Sequence, residues 1–231
     1  MNVLLRVLGL NLLAHVGSRL PSRTARTTTS ILLIAANLLP LVAVLTGAAG
    51  VGEVFVIYWF ENVVVWFTSI IKILTARGGT AGDVQLADNV LTAAFFAFHF
   101  GMFTLVHGVF SFILAGMTGG LTGEPRTWVL LGAAILVSHL VSLGLNWFGQ
   151  GERNVVTPRR AMSAPYPRMM VLHVSVIGAF FLLLELGPPG GISDEVGPVA
   201  LLCGLKTVVD VFLHLRERLA NRDLLRGTLE E

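Results

Sequence analysis

Eight ionisable residues interrupt stretches of this chain that are otherwise apolar enough to cross a membrane: Glu61, His99, His107, His139, His173, Lys206, Asp210 and His214. A charged side chain at the centre of a bilayer costs about 2.5–3.5 kcal/mol on insertion scales, so such residues usually face the interior of a helix bundle. Carboxylates and imidazoles bind divalent metal ions in sites without cysteine, and the same groups relay protons. The residue types therefore point to two kinds of chemistry.

Metal-dependent hydrolysis is the first. We predict His173, Asp210 and His214 as ligands of zinc or another divalent metal, with His99 as a fourth ligand or a group that orients one. Three protein ligands with an open fourth position activate a water molecule, and Glu61 would act as its general base. Because the site would lie within the membrane, a lipid-like substrate is expected.

Proton or ion transfer is the second. Glu61 and Lys206 fall near the middle of their apolar stretches, which suits a proton- or ion-coupled transporter or channel with a small ionic substrate. A third alternative is a non-catalytic membrane scaffold, in which Lys206 is a charge partner of Asp210 or Glu61 and fixes helix register. Whether the protein is an enzyme stays open.

The other polar residues of the apolar stretches are assigned to helix packing. We interpret His107 and His139 as packing histidines. Ser138, Ser142 and Asn146 recur every four residues, and such stripes commonly form hydrogen bonds between membrane helices.

The composition places the chain among membrane proteins. Of its 231 residues, 54% are hydrophobic and 13% charged, and the mean hydropathy is +0.77. Soluble domains carry about 25% charged residues. The single cysteine, Cys203, rules out an intramolecular disulfide and a cysteine-based zinc site.

The hydropathy pattern predicts an all-α polytopic membrane protein with a bundle of six transmembrane helices. Each candidate contains about 20 predominantly apolar residues, the length that a spanning helix needs. Glycine- and proline-rich turns separate most of them. The six stretches lie near 29–49, 51–74, 89–116, 127–148, 168–187 and 197–215.

The basic residues predict the orientation of the bundle. With six spans, fourteen of the 16 Lys and Arg residues fall on one side. The positive-inside rule makes that side, with both termini, cytoplasmic. These residues are Arg6, Arg19, Arg23, Arg26, Lys72, Arg77, Arg153, Arg159, Arg160, Arg168, Arg216, Arg218, Arg222 and Arg226. The basic charge thus reflects topology and contact with the lipid bilayer, and no nucleic-acid recognition module accompanies it.

The chain is predicted to form a single integral membrane domain over 1–231. Residues 1–28 form a cytoplasmic or interfacial segment, 29–215 the bundle, and 216–231 a cytoplasmic tail. The first 17 residues are interpreted as an amphipathic helix on the membrane surface, with a signal-like segment as the alternative.

Three motifs resemble an uncharacterised family of prokaryotic six-helix membrane proteins. They are Tyr58-Trp59-Phe60-Glu61-Asn62, Phe98-His99-Phe100-Gly101-Met102-Phe103 with His107-Gly108, and Lys206-Thr207-Val208-Val209-Asp210 with His214. The resemblance implies a multi-pass protein of the prokaryotic inner membrane, without a known activity. Asp210 and His214 are also similar to part of the zinc-ligand pattern of ceramidase-like membrane hydrolases, which have seven spans and an HxxxH pair that this chain lacks.

Overall fold

The computed structural model describes residues 9–79 and 83–186, together with Val208, Val209, Val211, Phe212, Leu213, Arg216 and Leu219. All regular secondary structure in these parts of the chain is helical. The longer helices are α1 (Leu10–Arg19), α2 (Ser22–Leu45), α3 (Val51–Thr75), α4 (Asp83–Met117), α5 (Pro125–Ser142), α6 (Pro158–Ser163) and α7 (Tyr166–Leu186). A π-helical turn over Leu143–Gly149, here called the π segment, continues α5, and a short 3₁₀ turn spans Glu152–Asn154.

Within the described residues, four helices are long and apolar enough to cross a membrane: Ser22–Leu45, Val51–Thr75, Gln85–Met117 and Pro125–Gly149. They match the first four predicted spans. Helix α7 coincides with the fifth predicted stretch, but its crossing of the membrane stays a prediction. Most of the sixth stretch lies outside the described residues, including Lys206, Asp210 and His214.

Helix α3 is the central helix of the described bundle. In its most apolar window 67% of the residues are buried, against 33% to 39% in the other three spans. Its closest neighbour is α4, where Gly108 lies against the indole of Trp59. A Cβ atom at Gly108 would come within 2.7 Å of Trp59 Nε1, so only glycine permits this approach. Trp59 Nε1 donates a hydrogen bond to the Thr104 carbonyl at 2.8 Å, which fixes the indole between the two helices.

The N-terminal helix packs on the π segment. A Cβ atom at Gly17 would lie 2.8 Å from Leu145 Cα, so the two backbones touch. Gln150, just beyond the π segment, donates to the carbonyls of Gly17 and Leu20. The first residues were predicted to form a helix lying on the membrane surface. The described helix packs its Leu10 and Gly17 against protein, and its contact with lipid stays a prediction.

Candidate functional site

The polar residues of α3 form a line along the helix. Glu61, Thr68, Ser69 and Lys72 are spaced by seven, one and three residues, which places them on one face of an α-helix. At 1.5 Å per residue, Lys72 lies about 16 Å along the axis from Glu61. Lys72 is close to the end of α3, so the line runs from the middle of the span to an end of the bundle where Lys72, Arg160, Arg168 and Arg216 line two neighbouring cavities. We call this the basic end.

Glu61 meets His139 of α5 at the inner end of this line. Glu61 Oε1 lies 3.4 Å from His139 Nε2, and only 7% and 11% of the two side chains are exposed. His139 was interpreted as a packing histidine, and the structure gives its ring one polar partner, the buried carboxylate of Glu61. The contact joins a carboxylate and an imidazole inside the bundle, the two side-chain types that most often relay protons in membrane proteins.

A small cavity joins this pair to the basic end. Its volume is about 40 Å³, enough for a water molecule. Polar groups from α3, α5 and α7 line it, and residues from α6 and the turn before α7 close it. The lining residues are Val65, Thr68, Ser69, Lys72, His139, Ala161, Ala164, Pro165 and Arg168.

A larger cavity of about 390 Å³ lies next to the small one, and the two share Lys72, Ala161 and Ala164 as walls. Arg160 and Arg216 also line the larger cavity. Lys72 Nζ lies 5.6 Å from the centre of the Trp147 ring, within the range of a cation–π contact. The basic end thus has a cavity with cationic groups and an aromatic wall.

Two arginines of the basic end, Arg77 and Arg153, lie close together. Burial lowers the pKa of Arg153, and the nearby charge of Arg77 lowers it further. The two residues are linked by a 2.7 Å hydrogen bond from the Arg77 amide to the Arg153 carbonyl.

A second buried pair joins α4 and α7. His107 Nε2 and His173 Nδ1 are 2.6 Å apart, and only 1% of His107 is exposed. His107 was predicted to serve packing, whereas the structure pairs it with a predicted metal ligand. His107 Nδ1 is buried and has no hydrogen-bond partner among the described residues.

His99 lies about two helical turns before His107 on α4, in an aromatic cluster. Its ring stacks on Phe95 at 5.3 Å between centroids and meets Phe103 edge to face at 5.2 Å. Phe103 in turn contacts the His173 ring at 6.5 Å.

The predicted metal centre is only partly within the described structure. Among the described residues, no group of three or more His, Cys, Asp or Glu side chains is placed to hold a metal ion. Asp210 and His214, and with them Lys206, lie outside these residues. The set of His99, His173, Asp210 and His214 therefore stays a prediction.

Three residues that lie between Glu61 and the basic end were not predicted from the sequence as part of the site. Thr68, Ser69 and Lys72 were not assigned to the site, although their spacing from Glu61 was a usable signal. Glu53 was also not predicted; its carboxylate accepts hydrogen bonds from the Gly50 and Gly123 amides at 2.6 Å.

The chain belongs to a family of unknown function, DUF6498, whose model matches residues 19–224. This match confirms the predicted membership of an uncharacterised family. No curated protein and no solved structure matches the chain, and nothing links it to ceramidases.

Proposed function

We propose that this protein is a proton- or ion-coupled transporter whose acid–base centre is the pair of Glu61 and His139. The observation that carries the proposal is the one-sided access to this pair. From the basic end, the small cavity reaches His139 past Thr68, Ser69 and Lys72.

The opposite side of the pair is packed with apolar side chains. Ile57 of α3 and Leu131 and Ile135 of α5 are buried together there, with 1% to 7% of each exposed. A pathway that opens to one side and is closed on the other is what an alternating-access carrier requires, whereas an open channel would need both halves at once.

The pair offers a physical means of coupling. A proton that arrives from the basic end would bind His139, and the adjacent Glu61 carboxylate would stabilise the imidazolium. The net charge of the buried pair would then change from −1 to zero. This change of charge between the two helices would shift the balance between two packings of α3 and α5.

Reconstituted liposomes test the proposal directly. We expect purified protein to admit protons down an imposed pH gradient, read by a trapped pH-sensitive dye, with Na⁺, K⁺, Cl⁻ and phosphate on both sides. Glu61→Gln should abolish this flux. The matched control is Glu124→Gln, which neutralises an exposed carboxylate at the start of α5. Wild-type flux no greater than that of empty liposomes would overturn the proposal, as would full flux in Glu61→Gln.

The orientation belongs to the same proposal. The positive-inside rule supports a cytoplasmic position for the basic end, in the inner membrane of a prokaryote. A thiol introduced at Arg159, in a Cys203→Ser background, should react with a membrane-impermeant reagent in inverted vesicles and not in intact cells. Labelling in intact cells would overturn this orientation.

Metal-dependent hydrolysis of a lipid-like substrate is a second candidate, favoured by the buried Nδ1 atom of His107 beside His173. It predicts stoichiometric zinc or another divalent metal in protein purified without chelators. His173→Ala and His214→Ala should lose that metal, while His15→Ala, an exposed histidine of α1, should retain it. Wild-type protein without stoichiometric metal would exclude this candidate.

A further inference from the structure

We infer that Ser69 is a positioning residue for proton transfer, whose hydroxyl holds a water molecule that delivers a proton to His139. Both residues line the same cavity of about 40 Å³. A cavity of this volume has room for at least one water molecule. The inference rests on the proposed function, because it concerns the path by which the pair of Glu61 and His139 exchanges protons with the basic end.

The hydroxyl of Ser69 is available to a water molecule. Only 6% of Ser69 is exposed, and its hydroxyl has no hydrogen-bond partner among the described residues. Serine hydroxyls inside helices often donate to the carbonyl four residues earlier, but Ser69 does not. Because a buried hydroxyl without a partner is unfavourable, this side chain favours a water molecule in the cavity that it lines.

The neighbouring Thr68 lines the same cavity with a hydroxyl that is already bonded. Thr68 Oγ1 donates to the Val64 carbonyl at 2.8 Å and lies 3.2 Å from the Val65 carbonyl. A hydroxyl has a single proton to donate, so Thr68 has none left for a water molecule. The two adjacent residues therefore differ in the property that the inference requires.

The ring of His139 can accept a proton from this cavity. Its Nε2 lies 3.4 Å from Glu61 Oε1, whereas its Nδ1 has no hydrogen-bond partner among the described residues. The side chain is 11% exposed. Because the cavity is so small, a water molecule in it lies close to both Ser69 and His139.

The transfer step moves one proton and leaves Ser69 unchanged. A protonated water in the cavity breaks one O–H bond, and the electron pair of that bond stays on the water oxygen. The ring nitrogen of His139 uses its lone pair to form the new N–H bond, so the products are an imidazolium and a neutral water molecule. Solvent at the basic end supplies the next proton. The Ser69 hydroxyl both donates and accepts a hydrogen bond, which orients the water during this step.

Two variants of Ser69 test the role of its hydroxyl in the liposome assay. Valine and threonine have nearly the same shape and differ in the hydroxyl. Ser69→Val should lower the proton flux about tenfold, because it removes the hydrogen bond that holds the water. Ser69→Thr should retain most of the flux. If Ser69→Val fails to fold, Ser69→Ala takes its place.

The matched control is Thr68→Val, which changes the wall of the same cavity. Because the Thr68 hydroxyl is bonded within its own helix, this variant should change the flux less than about twofold.

A second measurement does not depend on flux. Nuclear magnetic resonance of full-length protein with isotope-labelled histidine, in detergent, would follow the exchange of the His139 ring protons with solvent. His139→Gln identifies the signal by its loss. Ser69→Val should slow this exchange, whereas Thr68→Val should leave it near the wild-type rate.

The outcomes separate the inference from the proposed function. Wild-type protein without flux, in which Ser69→Val still slows the exchange, would overturn the transporter and support the water path through Ser69. Wild-type flux that Ser69→Val leaves undiminished would overturn the inference alone. Equal losses in Ser69→Val and Ser69→Thr, or in Ser69→Val and Thr68→Val, would also overturn it, because they would show an effect of cavity shape instead of the hydroxyl.

Discussion

Glu53 and Glu61 are two buried glutamates on the same helix, eight residues apart, with different surroundings. The Glu53 carboxylate accepts hydrogen bonds from two backbone amides at 2.6 Å and from Trp128 Nε1 at 3.2 Å. Glu61 instead contacts the ring of His139 at 3.4 Å. The partners of Glu53 are fixed donors, whereas His139 can gain or lose a proton.

The partners of the two glutamates indicate a structural role for the Glu53 carboxylate and a functional role for the Glu61 carboxylate. Fixed donors stabilise one charge state and one geometry, as expected where α3 begins and the loop before α5 is held against it. A titratable partner permits two charge states at the same place. We therefore expect substitutions at Glu53 to affect stability and those at Glu61 to affect transport.

Glu53→Ala should have the largest effect on stability. It leaves the Gly50 and Gly123 amides and Trp128 Nε1 without their common acceptor, and hydrogen bonds to charged groups contribute about 1.5–3 kcal/mol each. Water can replace part of the lost hydrogen bonds. We therefore expect the free energy of unfolding to fall by about 3 kcal/mol, measured by tryptophan fluorescence during denaturation in detergent. Proton flux per folded molecule should persist. If this variant were as stable as the wild type, the structural role assigned to Glu53 would be wrong.

Trp128→Phe should lower the free energy of unfolding by about 1.5 kcal/mol in the same measurement, because it removes one of the three donors to Glu53 and keeps an aromatic ring. The matched control is Trp66→Phe, which removes a 3.1 Å hydrogen bond to the neutral carbonyl of Ala97. A loss at Trp66 equal to or greater than that at Trp128 would argue against a special role for the Glu53 charge.

Glu61→Gln should reduce stability by about 1 kcal/mol or less, because the amide is nearly isosteric and still reaches His139. Its flux should nevertheless be lost. Combining denaturation with the liposome assay checks both. If the stability loss matched that of Glu53→Ala, Glu61 would be a structural residue and the contrast between the two glutamates would disappear.

His139→Gln should have the smallest effect on stability, about 0.5 kcal/mol, since the glutamine amide can donate to Glu61 in place of the imidazole. Flux should again be lost, because the amide does not titrate. Retained flux would show that Glu61 acts without His139. His15→Gln, in exposed α1, serves as the control for a histidine substitution.

The sequence predicted the parts of the fold that hydropathy alone determines. The four described spans follow from runs of about 20 apolar residues, because a bilayer requires that length. The π segment was not predicted, since the 143–149 stretch is as apolar as an ordinary helix and its contact with α1 joins distant parts of the chain.

The site was less accessible from the sequence because its contacts join distant parts of the chain. Glu61 and His139 were both recognised as unusual, yet they are 78 positions apart in the sequence, so their contact could not be predicted from it. His107 was set aside for the same reason, because only the fold brings it to His173. Only the spacing of residues along one helix could have been used, since it places Lys72 and Glu61 on the same face of α3.

The docking of α1 on the π segment has a practical consequence for anyone who shortens or tags the protein. The backbone contact of Gly17 and the hydrogen bond from Gln150 hold the two segments together. Trp147, which lies in the π segment, forms a wall of the larger cavity. Removing α1 would expose the π segment, whose backbone hydrogen bonding is already irregular. A loss of heat resistance in a protein shortened in this way should therefore not be taken as evidence about the bundle itself.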